Sequence, residues 1–145
     1  PGGLMKIALY SELARQHIVE VRKKITLLRV GTSKSEIREF RRSLAESNEE
    51  GHQRLTKSND FFNLSTLRDL IFHVQEHRFT LLQIKNCLDE LGLKFCGFEN
   101  KDTISNFRGF HGKDADIYDL AKWHQYEESN PHAFAEMYQF WCQKL

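Results

Sequence analysis

The first ten residues constrain the fold most, because a tight turn leads directly into an apolar run. Pro1-Gly2-Gly3 is followed by Leu4–Tyr10, a short and largely apolar segment. Such a turn before an apolar run is typical of a turn-to-strand junction inside a fold. We therefore interpret Leu4–Tyr10 as a buried strand that needs a neighbour, since an unpaired strand edge is a template for aggregation. The sequence thus predicts that part of the domain precedes this chain.

Composition limits the size and the class of the protein. The 145 residues carry a net charge of +1, and 40% of them are apolar. This length allows one domain or less, and the charge gives no case for nucleic acid or an acidic membrane as a partner. No apolar run approaches the ~20 residues of a membrane span. The odd number of cysteines, Cys87, Cys96 and Cys142, predicts buried free thiols in a reducing cytoplasm.

Helical and extended patterns alternate along the chain and predict an α/β fold as a single partial domain over 1–145. We predict a strand at 1–10, a helical insertion or lid at 11–92, and a second strand at 93–99. A helical segment at 100–136 and a last, aromatic-rich strand at 137–144 follow. Two capping boxes mark helix starts, one at Ser33 with Glu36 and one at Thr80 with Gln83.

These segments resemble the second half of class I methyltransferases that use S-adenosylmethionine. The Pro-Gly-Gly turn and Leu4–Tyr10 resemble the fifth strand of that Rossmann-like sheet, and Leu93–Phe98 resembles the sixth. Tyr138-Gln139-Phe140-Trp141 is similar to the last strand, which in that fold runs antiparallel between the other two. The string Phe72-His73-Val74-Gln75-Glu76-His77-Arg78-Phe79-Thr80 resembles a bacterial subgroup whose methyltransferase domain often follows tetratricopeptide repeats.

The resemblance implies a C-terminal, acceptor-side portion whose main partner is the missing N-terminal half of its own domain. The methyl acceptor is unknown, and S-adenosylmethionine is implied as the cofactor of the parent protein. That fold holds its cofactor on a glycine-rich loop after the first strand. Here the only early glycine pair is Gly2-Gly3, with no strand before it. No cofactor site can be assigned within this chain, and we expect the chain to be inert alone.

The segment His73-x-x-Glu76-His77-Arg78 carries the densest set of chemically active side chains. In one interpretation these residues only hold a connection together by hydrogen bonds. In another, His73, Glu76 and His77 are candidate catalytic groups that take the acceptor's proton, and Arg78 is a substrate-binding anion clamp. The pattern also matches the H-x-x-E-H motif of zinc hydrolases, which requires one continuous helix.

Two further features complete the sequence predictions. Tyr10 ends the first strand, and ligands of open α/β sheets bind beyond the carboxyl ends of strands, so Tyr10 is a candidate substrate-binding residue. Ser11 is interpreted as a helix cap. Arg38, Arg41 and Arg42 form a basic face, and they support an alternative in which the chain is a non-enzymatic helical module that binds a protein partner.

Overall fold

The computed structural model describes residues 2–72 and 75–145, so Pro1, His73 and Val74 lie outside the described residues. The chain is an α/β protein that forms two compact units. The sheet unit joins the residues up to Arg15 to His77–Leu145. The helical unit is Gln16–Glu76.

The sheet unit contains four strands within the described part of the chain: β1 (Leu4–Ser11), β2 (Arg78–Phe79), β3 (Leu93–Phe98) and β4 (Tyr138–Lys144). Their order across the sheet is β2-β1-β4-β3. β2 is parallel to β1, while β4 is antiparallel to both β1 and β3. β1, β2 and β3 therefore run in one direction. Their last residues, Ser11, Phe79 and Phe98, mark one edge of the sheet, which we call the carboxyl edge.

One face of this sheet packs against the helices α6 (Leu81–Glu90), α7 (Lys101–His111) and α8 (Leu120–Ser129). Alternate residues of β4 point into the core, so Tyr138, Phe140 and Cys142 are buried, while Trp141 is 38% exposed. The core is rich in aromatic rings. Trp123 stacks on Phe107 with ring centroids 3.9 Å apart, and it meets Phe98 edge-on at 4.8 Å.

The outer edge of β1 is mostly open. Only its last two residues, Tyr10 and Ser11, pair with β2, and no other described residue pairs with Leu4–Leu9 on that side. Leu4 is 64% exposed and Met5 is 46% exposed. A row of backbone donors and acceptors therefore lies beside exposed apolar side chains.

The helical unit consists of α1 (Gln16–Leu28), α2 (Lys34–Ala45), α3 (Glu50–Thr56), α4 (Asn59–Phe62) and α5 (Leu64–Phe72). Its core is mainly aliphatic, and one side of each helix supplies it. The buried residues of this core are Ile18, Val21, Ile25, Phe40, Leu44, Leu55, Phe61, Leu67 and Ile71. No helix of the described residues has the length and apolar character needed to cross a membrane.

Most of the predicted elements are present, with one strand more than expected. The strands predicted at 1–10, 93–99 and 137–144 correspond to β1, β3 and β4, and the last lies antiparallel between the other two. The three-strand prediction was wrong because β2 has only two residues, which is too short to show alternation. β2 and α6 both fall within the predicted insertion at 11–92, yet they belong to the sheet unit.

The thiol prediction needs correction as well. All three cysteines are free, but only Cys142 is buried, while Cys87 is exposed and Cys96 is intermediate. Cys87 lies on α6 beside the buried Leu88, on the side of the helix that faces away from the core.

Candidate functional site

The two predicted substrate-binding residues are neighbours at the carboxyl edge. Tyr10 is the partner of Arg78 in the parallel ladder between β1 and β2, and both side chains are half-buried. Parallel strands lie about 4.8 Å apart, so these side chains share one small region of the sheet. The sequence suggested each residue separately, and the pairing of β1 with β2 brings them together.

Charged neighbours fix the side chains of this pair. Arg78 Nε donates to Glu12 Oε2 at 3.0 Å, and the Glu12 backbone N–H donates to the Phe79 carbonyl at 2.9 Å. The guanidinium of Arg15 lies 4.2 Å from the centroid of the Tyr10 ring, which is a cation–π contact. An anionic substrate that approached Arg78 would therefore compete with the Glu12 carboxylate.

Of the two candidate catalytic groups that the structure describes, Glu76 is more constrained than His77. Its side chain is 5% exposed, and its carboxylate pairs with Arg22, whose Nη2 lies 3.0 Å from Oε2. Arg22 also donates to the Leu70 carbonyl, with Nη2 at 2.6 Å. This ion pair ties the end of the helical unit to α1.

His77 is exposed and is the first residue of the second segment of the sheet unit, while His73 lies outside the described residues. α5 ends at Phe72, and neither Glu76 nor His77 belongs to a helix. The continuous helix that an H-x-x-E-H zinc site requires therefore does not extend through Glu76 and His77. Among residues 2–72 and 75–145, no group of three or more His, Cys, Asp or Glu side chains is placed to hold a metal ion.

A buried carboxyl group behind the carboxyl edge was not anticipated from the sequence. Glu127 is fully buried, and it accepts hydrogen bonds from Ser11 Oγ at 2.5 Å and from Tyr138 OH at 2.6 Å. Ser11 Oγ in turn accepts the backbone N–H of Ala14 at 2.9 Å, as part of the turn after β1. The Ser11–Glu127–Tyr138 cluster thus ties the end of β1 and the start of β4 to α8.

Burial governs the acid–base properties of this cluster. Burial raises the pKa of Glu127, while the hydrogen bonds from Ser11 and Tyr138 act in the opposite direction. The pKa of Tyr138 is also raised, first by burial and then by the neighbouring charge of Glu127. One signal could have indicated Glu127, since it lies four residues after Trp123 and seven after Leu120, on the apolar side of α8.

The carboxyl end of β3 opens into a cavity of about 360 Å³. Phe98 and Phe134 are buried residues of its lining, with ring centroids 4.7 Å apart, while Thr103, His132 and Gln139 supply polar atoms. Apolar surfaces with a few converging polar groups are characteristic of small-molecule sites. This cavity is a second candidate ligand site at the carboxyl edge, besides the region of Tyr10 and Arg78.

The described residues do not fit an S-adenosylmethionine site. A glycine-rich loop after a parallel strand allows such a cofactor to approach the backbone. Here Glu12 and Leu13 follow β1, Thr80 follows β2, and Glu99 and Asn100 follow β3. No glycine stands at any of these three turns, so the cofactor implied by the resemblance has no cradle in this part of the chain.

The basic face of the helical unit is only partly solvated. Arg38 and Arg42 of α2 are exposed, whereas Arg41 is half-buried and donates to the Phe62 carbonyl at 3.3 Å.

Comparison of the sequence with models of protein families and with curated proteins finds no match. Any functional assignment therefore depends on the sequence pattern and the geometry described above.

Proposed function

We propose that the chain is the C-terminal, acceptor-side part of a class I S-adenosylmethionine-dependent methyltransferase. The observation that carries this proposal is the strand arrangement of the sheet unit. β4 runs antiparallel between the parallel strands β1 and β3, which is the order that the resemblance implies for the last three strands of that fold. A short hairpin cannot join parallel strands, so this order requires the crossover segments that the chain contains.

The open edge of β1 gives the second line of support. Native proteins protect long edge strands by covering or charging them. Along Leu4–Leu9 the only charged side chain is Lys6, and Leu4 and Met5 are exposed. A neighbouring parallel strand, supplied by the preceding half of the domain, would pair the backbone groups of this edge and cover both apolar side chains.

In the proposed enzyme, Tyr10 and Arg78 orient the methyl acceptor at the carboxyl edge. His77 is the candidate for taking the acceptor's proton, because it is exposed and directly precedes Arg78. Glu76 is already paired with Arg22, so we assign it the role of positioning the segment that carries His77. The cofactor would bind to residues outside this chain, on the glycine-rich loop that follows the first strand of such a fold.

Complementation tests this proposal. The chain is mixed with the separately produced segment that precedes it in the parent reading frame, and methyl transfer from labelled S-adenosylmethionine is measured with a panel of acceptors. We expect neither part to be active alone and the mixture to be active. His77→Ala should lower turnover by roughly 10²-fold or more with unchanged cofactor affinity.

The matched control is Gln75→Ala, which alters an exposed neighbour in the same segment and should leave turnover near the wild-type value. Two results would overturn the proposal. One is a preceding sequence that lacks a strand followed by a glycine-rich loop roughly a hundred residues upstream. That distance follows from the ~30 residues of each strand–helix unit. The other is a mixture that binds no S-adenosylmethionine.

A further inference from the structure

A groove runs along the exposed side of α7. We call it the α7 groove, and its volume is about 620 Å³. Its lining residues are Lys101, Ile104, Ser105, Arg108, Gly109, Lys113 and Ile117. Ile104 and Ile117 pack against the core of the sheet unit, so the apolar floor of the groove is anchored to a rigid part of the fold.

The rim of the α7 groove is positively charged. Lys101, Arg108 and Lys113 are exposed, and none of the described lining residues is acidic. None of these three cations forms an ion pair or a side-chain hydrogen bond with another described residue. This pattern differs from the carboxyl edge, where Arg78 is paired with Glu12. The lining of the groove therefore presents three cations beside an apolar surface, while Asp102, Asp114 and Asp116 follow them in the chain outside the lining.

Gly109 is an exposed glycine among the lining residues of the groove. It lies inside α7, where glycine is less favourable than alanine. A Cβ atom added at Gly109 would meet no heavy atom within 4 Å, so no packing within the described chain requires a glycine there. Small residues on the outside of a helix allow the backbone of a second helix to approach closely.

We propose that the α7 groove binds an acidic amphipathic helix of a partner protein. Lys101 and Arg108 are seven residues apart, which corresponds to roughly 10.5 Å along the helix axis. That distance is too long for one carboxylate or phosphate group to contact both cations. It matches two carboxylates seven residues apart on a second helix, with apolar residues between them packing on Ile104 and Ile117 and against Gly109.

The lining of the groove favours a protein helix over a nucleic acid. Single-stranded nucleic acids bind through aromatic side chains that stack on bases, and no aromatic residue is among the described lining residues. The floor consists of branched aliphatic side chains, which suit the leucine or isoleucine side chains of a helix. The proposal does not depend on methyl transfer, because it uses no residue of the carboxyl edge.

Peptide selection followed by a binding measurement tests this inference. A displayed library of random peptides, each long enough for about four helical turns, is selected on the full chain and depleted on the Lys101→Glu, Arg108→Glu double variant. We expect enriched peptides to carry acidic residues seven apart with apolar residues between them. In fluorescence anisotropy, Arg108→Glu and Gly109→Leu should each weaken binding of such a peptide at least about tenfold.

Arg42→Glu is the matched control, because Arg42 is likewise an exposed arginine in the last turn of its helix. Its effect should stay within about twofold, because Arg42 is not among the residues that line the groove. The inference would be overturned if no peptide preferred the wild-type chain, or if the preferred peptides lacked acidic residues. Tighter binding of a labelled single-stranded RNA, lost in the same double variant, would favour a nucleic acid instead.

Discussion

In the sheet unit, the buried carboxyl group of Glu127 contacts two hydroxyl groups, whereas in the helical unit the carboxylate of Glu76 contacts the guanidinium of Arg22. The two arrangements have different consequences. An ion pair loses its attraction when either charge is removed. A buried carboxyl group loses the hydration of its charged form, which is why burial raises the pKa of Glu127, although the two hydroxyl groups and the nearby charge of His124 act in the opposite direction.

The cores of the two units differ in a related way. Aromatic rings that contact one another dominate the sheet unit, and Trp123 alone contacts the rings of Phe98, Phe107, Tyr126 and Phe134. The helical unit relies on aliphatic side chains spaced at helical intervals. We therefore expect the stability of the sheet unit to depend on a few large aromatic residues. The stability of the helical unit should depend on many aliphatic residues that each contribute less.

Removal of Trp123 is expected to have the largest effect on stability. Trp123→Ala deletes a fully buried ring and leaves the Ile117 carbonyl without the hydrogen bond it accepts from Trp123 Nε1 at 2.8 Å. We expect the free energy of unfolding to fall by about 3–5 kcal/mol, as measured by urea denaturation followed by circular dichroism.

The control for Trp123 is the other tryptophan, Trp141, which is 38% exposed on the opposite face of the sheet. Trp141→Ala should lower the free energy of unfolding by about 1 kcal/mol at most. Leu55→Ala removes an equally buried aliphatic residue of the helical unit. If Trp123→Ala lowered the free energy of unfolding less than Leu55→Ala, the sheet unit would not depend more strongly on single large residues than the helical unit does.

Disruption of the ion pair in the helical unit should have an intermediate effect. Glu76→Gln keeps the size of the side chain and removes its charge, while Arg22 keeps its contact with the Leu70 carbonyl. Because hydrogen bonds to charged groups contribute about 1.5–3 kcal/mol, we expect a loss of that order in the free energy of unfolding at neutral pH.

Glu12→Gln is the matched control, since it removes a similar pairing with Arg78 at a more exposed position. Exposed pairs contribute about 0–1 kcal/mol, so its effect should be smaller. Equal losses for the two variants would mean that burial adds nothing to the pairing of Glu76 with Arg22.

Local patterns in the sequence predicted much of the fold. The capping boxes at Ser33 with Glu36 and at Thr80 with Gln83 are both present, and α2 and α6 begin directly after them. These signals depend on residues three positions apart, so they need no knowledge of the tertiary structure. The short segments rich in apolar and aromatic residues that form β1, β3 and β4 were equally visible.

Features that depend on long-range packing were not predictable in the same way. The sequence predicted only one helical segment over 100–136, whereas the structure divides it into α7 and α8, and α8 begins after Asp119 with Leu120, Trp123, Tyr126 and Glu127 buried. Several Asp residues precede this helix and any of them is a suitable capping residue, so the sequence alone does not determine where α8 begins. The contact of Glu127 with Ser11 also joins distant parts of the chain, which no local pattern reveals.

At low pH, Glu127→Gln should change the free energy of unfolding less than the variants above. The size of this change should depend on pH. In the unfolded chain, glutamate has a pKa of about 4.3, whereas burial raises the pKa of Glu127 in the folded protein. Below about pH 4 the carboxyl group is protonated in both states. As the pH rises toward the folded pKa, the unfolded state ionises first, so the wild-type protein loses stability while the Gln variant does not.

We therefore expect the stability of Glu127→Gln relative to wild type to increase as the pH rises above about 4, where the unfolded glutamate begins to ionise, as measured by urea denaturation at each pH. Glu39→Gln is the control, because Glu39 is exposed on α2 and forms no ion pair with another described residue, so its difference from wild type should change little with pH. An opposite trend, with Glu127→Gln becoming less stable than wild type as the pH rises, would show that the Ser11 and Tyr138 hydroxyl groups stabilise the ionised carboxylate more than burial destabilises it. The contrast with the Arg22–Glu76 pair would then disappear, because two hydroxyl groups would stabilise a buried carboxylate as well as a guanidinium group does.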